Sequence, residues 1–191
     1  MAELSHTTPI TLKDIEDMEA RGLRCEIVNG QWVDTSEAKM AGELHGAIAT
    51  NLIIALGSYV KAHQLGRVYP ADTTYILEED KDGVQLMRLP DVSFVAADRV
   101  KTRDRGTYYQ LAPDLAIEII SPSERAIAMR AKLKDYLRTG VRQVWQVYPE
   151  TQEVVVYLAD GTVHTYDIGR TIPGDELLPG FALPVVDIFA V

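Results

Sequence analysis

Residues 112–126 read APDLAIEIISPSERA, and in this stretch Leu115, Ala116, Ile117, Ile119 and Ile120 make an apolar run broken only by Glu118. Such a run suits a strand covered on both faces. A carboxylate in its middle costs several kcal/mol unless its charge is balanced. The chain must therefore fold so that a cation reaches the centre of a buried strand. A divalent metal ion, shared with an aspartate from a neighbouring strand, is the expected partner.

The rest of the chain supplies a sheet and helices for that strand. TLKDIEDMEARG (11–22) predicts a short helix with Thr11 as N-cap, Asp14 in the capping-box position and Gly22 past its end. RCEIVNGQWVDT reads as a hairpin turning at Asn29-Gly30. Ser36 is the expected cap of a long helix over roughly 37–63, with Leu44, Ile48, Leu52, Ala55, Leu56 and Tyr59 at helical spacing. Strands follow in GRVYPADTTYIL and VQLMRLPDVSFVA, and 97–112 reads as a polar loop with room for one helical turn. After the strand at 114–120, a helix over about 124–139 is expected to be capped by Ser123 and stopped by Gly140. RQVWQVY, EVVVYLA and TVHTYDI form an antiparallel meander, and LLPGFALPVVDIF an irregular apolar strap. The expected fold is α/β of the mixed α+β kind: one mixed β-sheet flanked by helices, in a single domain over 1–191.

Strand geometry narrows the second carboxylate. Asp114 and Glu118 share a face, but four residues at about 3.3 Å each separate them by about 13 Å, too far for one ion. Magnesium oxygens sit about 2.1 Å from the ion. Asp114 is better placed to start the strand and bind the turn after Pro113. Neighbouring strands lie only about 4.8 Å apart. Asp91 in LPDVSFVA, at the mouth of an apolar strand after Pro90, is then the partner for Glu118. A positive group near the attacking water is also needed. The residue two after Glu118 is Ile120, so the following helix must supply it. Lys132 lies at the margin of the stripe formed by Ala126, Met129, Leu133, Tyr136 and Leu137, and its stem can run over the core towards the sheet. Glu26 in the first hairpin and His45 on the long helix are candidates for a supporting role. Glu43 and His45, two apart on a helix, do not face each other.

Other chemistries find little support. No phosphate-binding glycine loop, nucleophile elbow or helical two-histidine zinc pair is present, and the single cysteine, Cys25, excludes a disulfide framework. With 28 acidic and 19 basic residues the net charge is −9, so binding to a nucleic acid would need a local basic patch or metal ions. The densest basic stretches are DRVKTRDRG (98–106) and RAIAMRAKLKDYLRTGVR (125–142). No apolar run is long enough to cross a bilayer, and MAELSHTTPI has the features of no secretory leader, which gives a cytoplasmic expectation.

Asp91 after Pro90, Glu118 in an apolar strand and a nearby lysine resemble the PD-(D/E)XK nuclease superfamily. More closely, CEIVNGQW, ELHGAIATNL, LPDVSFV, APDLAIEIISPS, KLKDYLRTGVRQVWQVYPE and LLPGFALPV resemble the Uma-two family of restriction endonucleases, over about residues 24–185. The resemblance implies a restriction-endonuclease-like core over 24–185, preceded by a helical extension over 1–23. It implies Asp91 and Glu118 as metal ligands and Lys132 as a relocated catalytic lysine. The resulting expectation is a Mg2+-dependent endonuclease, with Mn2+ as the alternative ion, acting on DNA. The apolar meander and tail leave room for a homodimer. Two other readings stay open: an inactive nuclease-fold domain that binds protein or nucleic acid, and a hydrolase of small phosphorylated substrates, which would suit the acidic surface.

Overall fold

A computed structural model of the protein describes residues 8–34, 42–100, 108–122 and 125–191. Helix α1 (Leu12–Ala20) starts where expected: Thr11 Oγ1 accepts from the Asp14 amide, and Asp14 Oδ2 accepts from the Thr11 amide at 2.8 Å. Strands β1 (Cys25–Val28) and β2 (Gln31–Asp34) form the hairpin. Asn29 and Gly30 both take positive φ, 52° and 68°, as a tight two-residue turn between twisted strands requires.

Helix α2 (Glu43–Ala62) has Gly42 as N-cap; the expected cap, Ser36, and the expected first turn over 37–41 lie outside the described residues. Ile48, Leu52, Leu56 and Val60 are its buried residues, whereas Leu44 is 48% exposed because it precedes the covered part of the helix. Four strands follow: β3 (Gly66–Pro70), β4 (Thr74–Asp80), β5 (Gly83–Arg88) and β6 (Val92–Ala96). The segment after β6 ends in β7 (Tyr108–Tyr109), paired parallel to β4. Next come β8 (Leu115–Ile119), α3 (Ala126–Arg138) and the meander β9 (Gln143–Tyr148), β10 (Glu153–Leu158) and β11 (Val163–Tyr166). The tail is more regular than a strap: β12 (Thr171–Pro173) pairs antiparallel with β13 (Ala182–Pro184), and α4 (Val185–Ile188) follows.

The single sheet expected from the sequence is divided. One sheet has the order β2-β1-β5-β4-β7, and a second, mixed sheet has the order β11-β10-β9-β8-β6-β3. The division falls at Leu89-Pro90. A proline has no ladder donor, and β5 before it pairs with β1 and β4 while β6 after it pairs with β3 and β8. Strands β8 and β9 run parallel because α3 carries the chain back between them.

Strand β8 is covered on both faces. Leu115, Ile117 and Ile119 join the core under α2 with Val92, Phe94, Trp145 and Val147. Ala116 faces α3 and packs with Tyr136, Val141 and Val144. Each such aliphatic side chain contributes about 1.5–3 kcal/mol when buried. Glu118 shares the face of Ala116, so the sequence commits its carboxylate to α3. That helix ends at Gly140 (φ 98°): the Val141 amide bonds the Tyr136 carbonyl and the Gly140 amide bonds the Leu137 carbonyl. This cap turns the chain into β9 and fixes which helix face meets the sheet. The expected N-cap, Ser123, lies outside the described residues, and Arg125 stands at the cap position without a side-chain cap bond.

Candidate active site at the meeting of two sheets

Glu118 is 5% exposed, and α3 answers its charge with two residues one turn apart. Lys132 Nζ lies 3.2 Å from Glu118 Oε2, and the Tyr136 hydroxyl donates to Glu118 Oε1 at 2.7 Å. The same ammonium lies 3.2 Å from Glu26 Oε1. Glu26 enters from the other sheet, where the β1–β5 register aligns Ile27 with Met87 and so sets Glu26 beside Arg88. Arg88 NH1 donates to Glu26 Oε2 at 2.6 Å, and Arg88 NH2 donates to Asp135 Oδ2 on α3. The site is thus built where β8, β1, β5 and α3 converge.

Asp91 closes the end of the ladder. Val92 pairs with Ile117 and Ser93 with Ala116, so continuing the register brings Asp91 beside Glu118. Its carboxylate, 2% exposed, accepts from the Ile119 amide at 2.8 Å through Oδ2, and His45 Nε2 lies 3.3 Å from the same oxygen. His45 is in the first turn of α2, so both helices contribute to the site.

All five sequence-derived candidates therefore lie in one connected region: His45 on Asp91, Asp91 on the backbone next to Glu118, and Glu118 on Lys132, which also meets Glu26. Asp114 stays apart. Its Oδ2 accepts from the Ala96 amide at 2.8 Å and its Oδ1 lies 2.8 Å from Arg99 NH1, so it braces the end of β6 and not the turn after Pro113.

Three residues escaped the sequence reading. Tyr136 belongs by spacing to the apolar stripe of α3; its ring packs there, but its hydroxyl serves Glu118. Arg88 gave no periodicity signal. Gln146 pairs with Glu118 across the β8–β9 ladder and is 4% exposed, its Oε1 accepting from the Tyr148 hydroxyl at 2.9 Å. The available clue was a polar residue inside VWQVY, the same clue that marks Glu118.

Electrostatics keep the lysine charged. Burial opposes the Lys132 ammonium, but the Glu118 and Glu26 carboxylates outweigh it and raise the pKa above the usual lysine value. Burial, followed by the Glu118 charge, holds the Tyr136 phenol well above its ordinary range, so it remains a donor. Arg88 is raised as well: burial acts against its charge and Glu26 and Asp135 act for it.

The donor chemistry suits a hard divalent cation. Asp91 and Glu118 offer carboxylate oxygens, and magnesium is commonly held by one or two carboxylates with waters and substrate phosphates completing its shell. Among the described residues no group of three or more His, Cys, Asp or Glu side chains is arranged to hold a metal ion. On its α3 side Glu118 borders a cavity of only about 10 Å3, with Lys132, Tyr136 and Gln146 among its walls. That is room for about one water.

Comparison with known proteins agrees with this architecture. A family model, Uma2, described as "Putative restriction endonuclease", matches residues 12–186. Among solved structures, the chain is similar to a "putative nuclease belonging to DUF820" from Anabaena variabilis ATCC 29413. The two share 22% identity and a TM-score of 0.77, over 95% of this chain and 98% of that one. That likeness shows the shared fold. No protein with a curated description matches.

Proposed function

Because the chain belongs to the Uma2 (Uma-two) family, we propose that it is a metal-dependent nuclease that hydrolyses phosphodiester bonds in DNA. The observation that carries this reading is that Asp91 and Glu118 fall at neighbouring positions of the β6–β8 ladder, with the Lys132 ammonium 3.2 Å from Glu118. Asp91 and Glu118 would hold Mg2+, or Mn2+ in its place. When bound there, such an ion would polarise the scissile phosphate and lower the pKa of a bound water.

The protein groups do the rest. Lys132 supplies a permanent positive charge next to the reacting phosphate, where charge grows during displacement. The Ile119 amide and His45 hold the Asp91 carboxylate in one orientation, and Tyr136 does the same for Glu118. Burial around both acids strengthens every charge interaction in the site.

A substrate with a phosphate backbone also needs a docking face, despite the net charge of −9. Arg130 and Lys134 lie exposed on α3 and Arg125 is exposed at its N-cap, which gives the helix a locally basic outer side, while Arg138 at its end is paired with Glu78 and Asp135. DNA laid along that side would meet cations before it meets the acidic remainder of the surface. Pairing of two copies is part of the proposal, with exposed Val163, Ile168 and Val186 available on the meander and tail. Sedimentation measurements would decide it.

The test is cleavage of plasmid, linear and branched DNA with Mg2+ or Mn2+, and with chelator as control. Asp91→Asn and Glu118→Gln should each abolish cleavage without unfolding the protein. Unchanged cleavage in either variant would remove that residue from the reaction. One feature favours a second reading, a non-catalytic nuclease-fold domain: the lysine already neutralises Glu118. Calorimetry would separate the two, since that domain would bind neither metal at millimolar concentration.

A further inference from the structure

Lys132 is held by two acids, at 3.2 Å from Glu118 Oε2 and 3.2 Å from Glu26 Oε1. The two acids arrive from different sheets, and they are not equally free to move. Glu26 Oε2 takes Arg88 NH1 at 2.6 Å, and the Leu89 amide lies 3.5 Å from Glu26 Oε1. Arg88 is tied in turn to Asp135, three residues after Lys132 on α3. Arg88 Nε is buried with no hydrogen-bond partner among the described residues, so the pairs with Glu26 and Asp135 are what set the guanidinium. Glu26 is therefore clamped to the same helix that carries the lysine.

We propose that Glu26 is a positioning residue: it is the fixed second seat that keeps the Lys132 ammonium in the site when Glu118 turns its charge to a metal ion. This rests on the reading of Glu118 as a metal ligand. A single carboxylate cannot neutralise an ammonium and a divalent ion together, because the two cations then repel at close range. With Glu26 beside it, the ammonium keeps an anionic partner without leaving its place. Without Glu26, Lys132 depends on Glu118 alone and competes with the ion for it. A direct ligand role for Glu26 fits less well, since Arg88 and Lys132 already occupy both of its oxygens.

The experiment is calorimetric titration of Mn2+ into the full chain, its Glu26→Gln and Lys132→Met variants, and the double variant. Glu26→Gln should weaken Mn2+ binding about tenfold, and Lys132→Met should tighten it by a similar factor. In the Lys132→Met background the Glu26→Gln change should lose most of its effect, falling to about twofold, because no ammonium remains to be seated. An equal loss in both backgrounds would make Glu26 a ligand or a purely structural residue and overturn the proposal alone. No Mn2+ binding by the unaltered chain would overturn it together with the metal-ligand reading. A metal-free readout stands beside these. The urea midpoints of the single and double variants should be non-additive, and additive midpoints would show that Lys132 is not seated on Glu26.

Discussion

Two buried acids stand on one face of β8, and their surroundings differ in kind. Asp114, 1% exposed, sits just before the strand and is matched by its own partners: Arg99 on one oxygen and the Ala96 amide on the other. Its backbone is tied down as well, with its amide on the Phe94 carbonyl and its carbonyl accepting from Arg142 and Gln143. Glu118, 5% exposed, meets among the described residues a neutral donor, Tyr136, and a lysine that it shares with Glu26. Burial alone thus does not mark a functional carboxylate. The informative feature is whether the balancing charge is dedicated or divided, because a divided partner leaves the acid able to accept another cation.

The largest expected effects come from exchanging the charge of each acid for an amide. Glu118→Gln should lower metal-dependent cleavage by about 10^3-fold or more, the scale at which loss of one preorganised electrostatic contact is felt. Its unfolding free energy should change little, since Tyr136 keeps an acceptor and Lys132 keeps Glu26. Asp114→Asn should do the reverse. It leaves Arg99 without its charge partner and should lower stability by about 2–4 kcal/mol, with cleavage retained wherever the protein is folded. Cleavage assays paired with urea melts measure both. If Asp114→Asn abolished cleavage in folded protein, the division between a structural and a functional end of the face would fail.

A smaller effect sharpens the Glu118 side. Tyr136→Phe removes the 2.7 Å bond to Glu118 Oε1 and leaves a buried acceptor short of a donor. Stability should drop by about 1–3 kcal/mol, read by urea denaturation. Cleavage should fall by no more than about tenfold, because the hydroxyl orients the carboxylate and carries no charge of its own. A loss as deep as that of Glu118→Gln would instead place the Tyr136 hydroxyl among the reacting groups.

Much of this arrangement was legible in the residues because it depends on local rules. The capping box at Thr11 and Asp14 follows from reciprocal side-chain bonds to the backbone, and the Asn29-Gly30 turn and the Gly140 stop from positive φ that few residues tolerate. Glu118 announced itself by breaking a buried run, and Pro90 placed Asp91 at a strand mouth. Lys132 and Glu26 were harder, yet a lysine at the edge of an apolar stripe and an acid in an apolar hairpin are both polar groups in places that need a partner. What stayed hidden was choice of partner at long range. Nothing near Val84 or Leu86 says that β5 will join β1, so the division into two sheets could not be read off. Tyr136 was half legible, since periodicity assigns a ring to the core and says nothing of where its hydroxyl ends. Gln146 carried the same signal as Glu118 in a weaker form.

The smallest effect concerns the Asp114 end, where tyrosines take the place of shared charges. Tyr75 bonds Ser93 through its hydroxyl at 2.8 Å, and Ser93 pairs with Ala116, midway between the two acids. The Tyr75 ring stacks on Tyr109, with centroids 5.5 Å apart, and the Tyr109 hydroxyl bonds that of Tyr69. Burial first, then its bond to Tyr69, pushes the Tyr109 phenol up to about 12, and burial raises Tyr75 as well. A folded-state value above the unfolded one, about 10 for a free tyrosine, means that the fold favours the neutral phenol. The associated stability is whole below about pH 10 and is lost as pH climbs through about 12. Phenolate absorbance should therefore show a late-titrating class that shrinks in Tyr109→Phe, with a gentler alkaline loss of stability in that variant. Mg2+ should leave this class unmoved, since nothing in the stack touches Asp91 or Glu118. A metal-dependent shift in it would mean that the two ends of the β8 face are coupled, and that the tyrosines belong to the site after all.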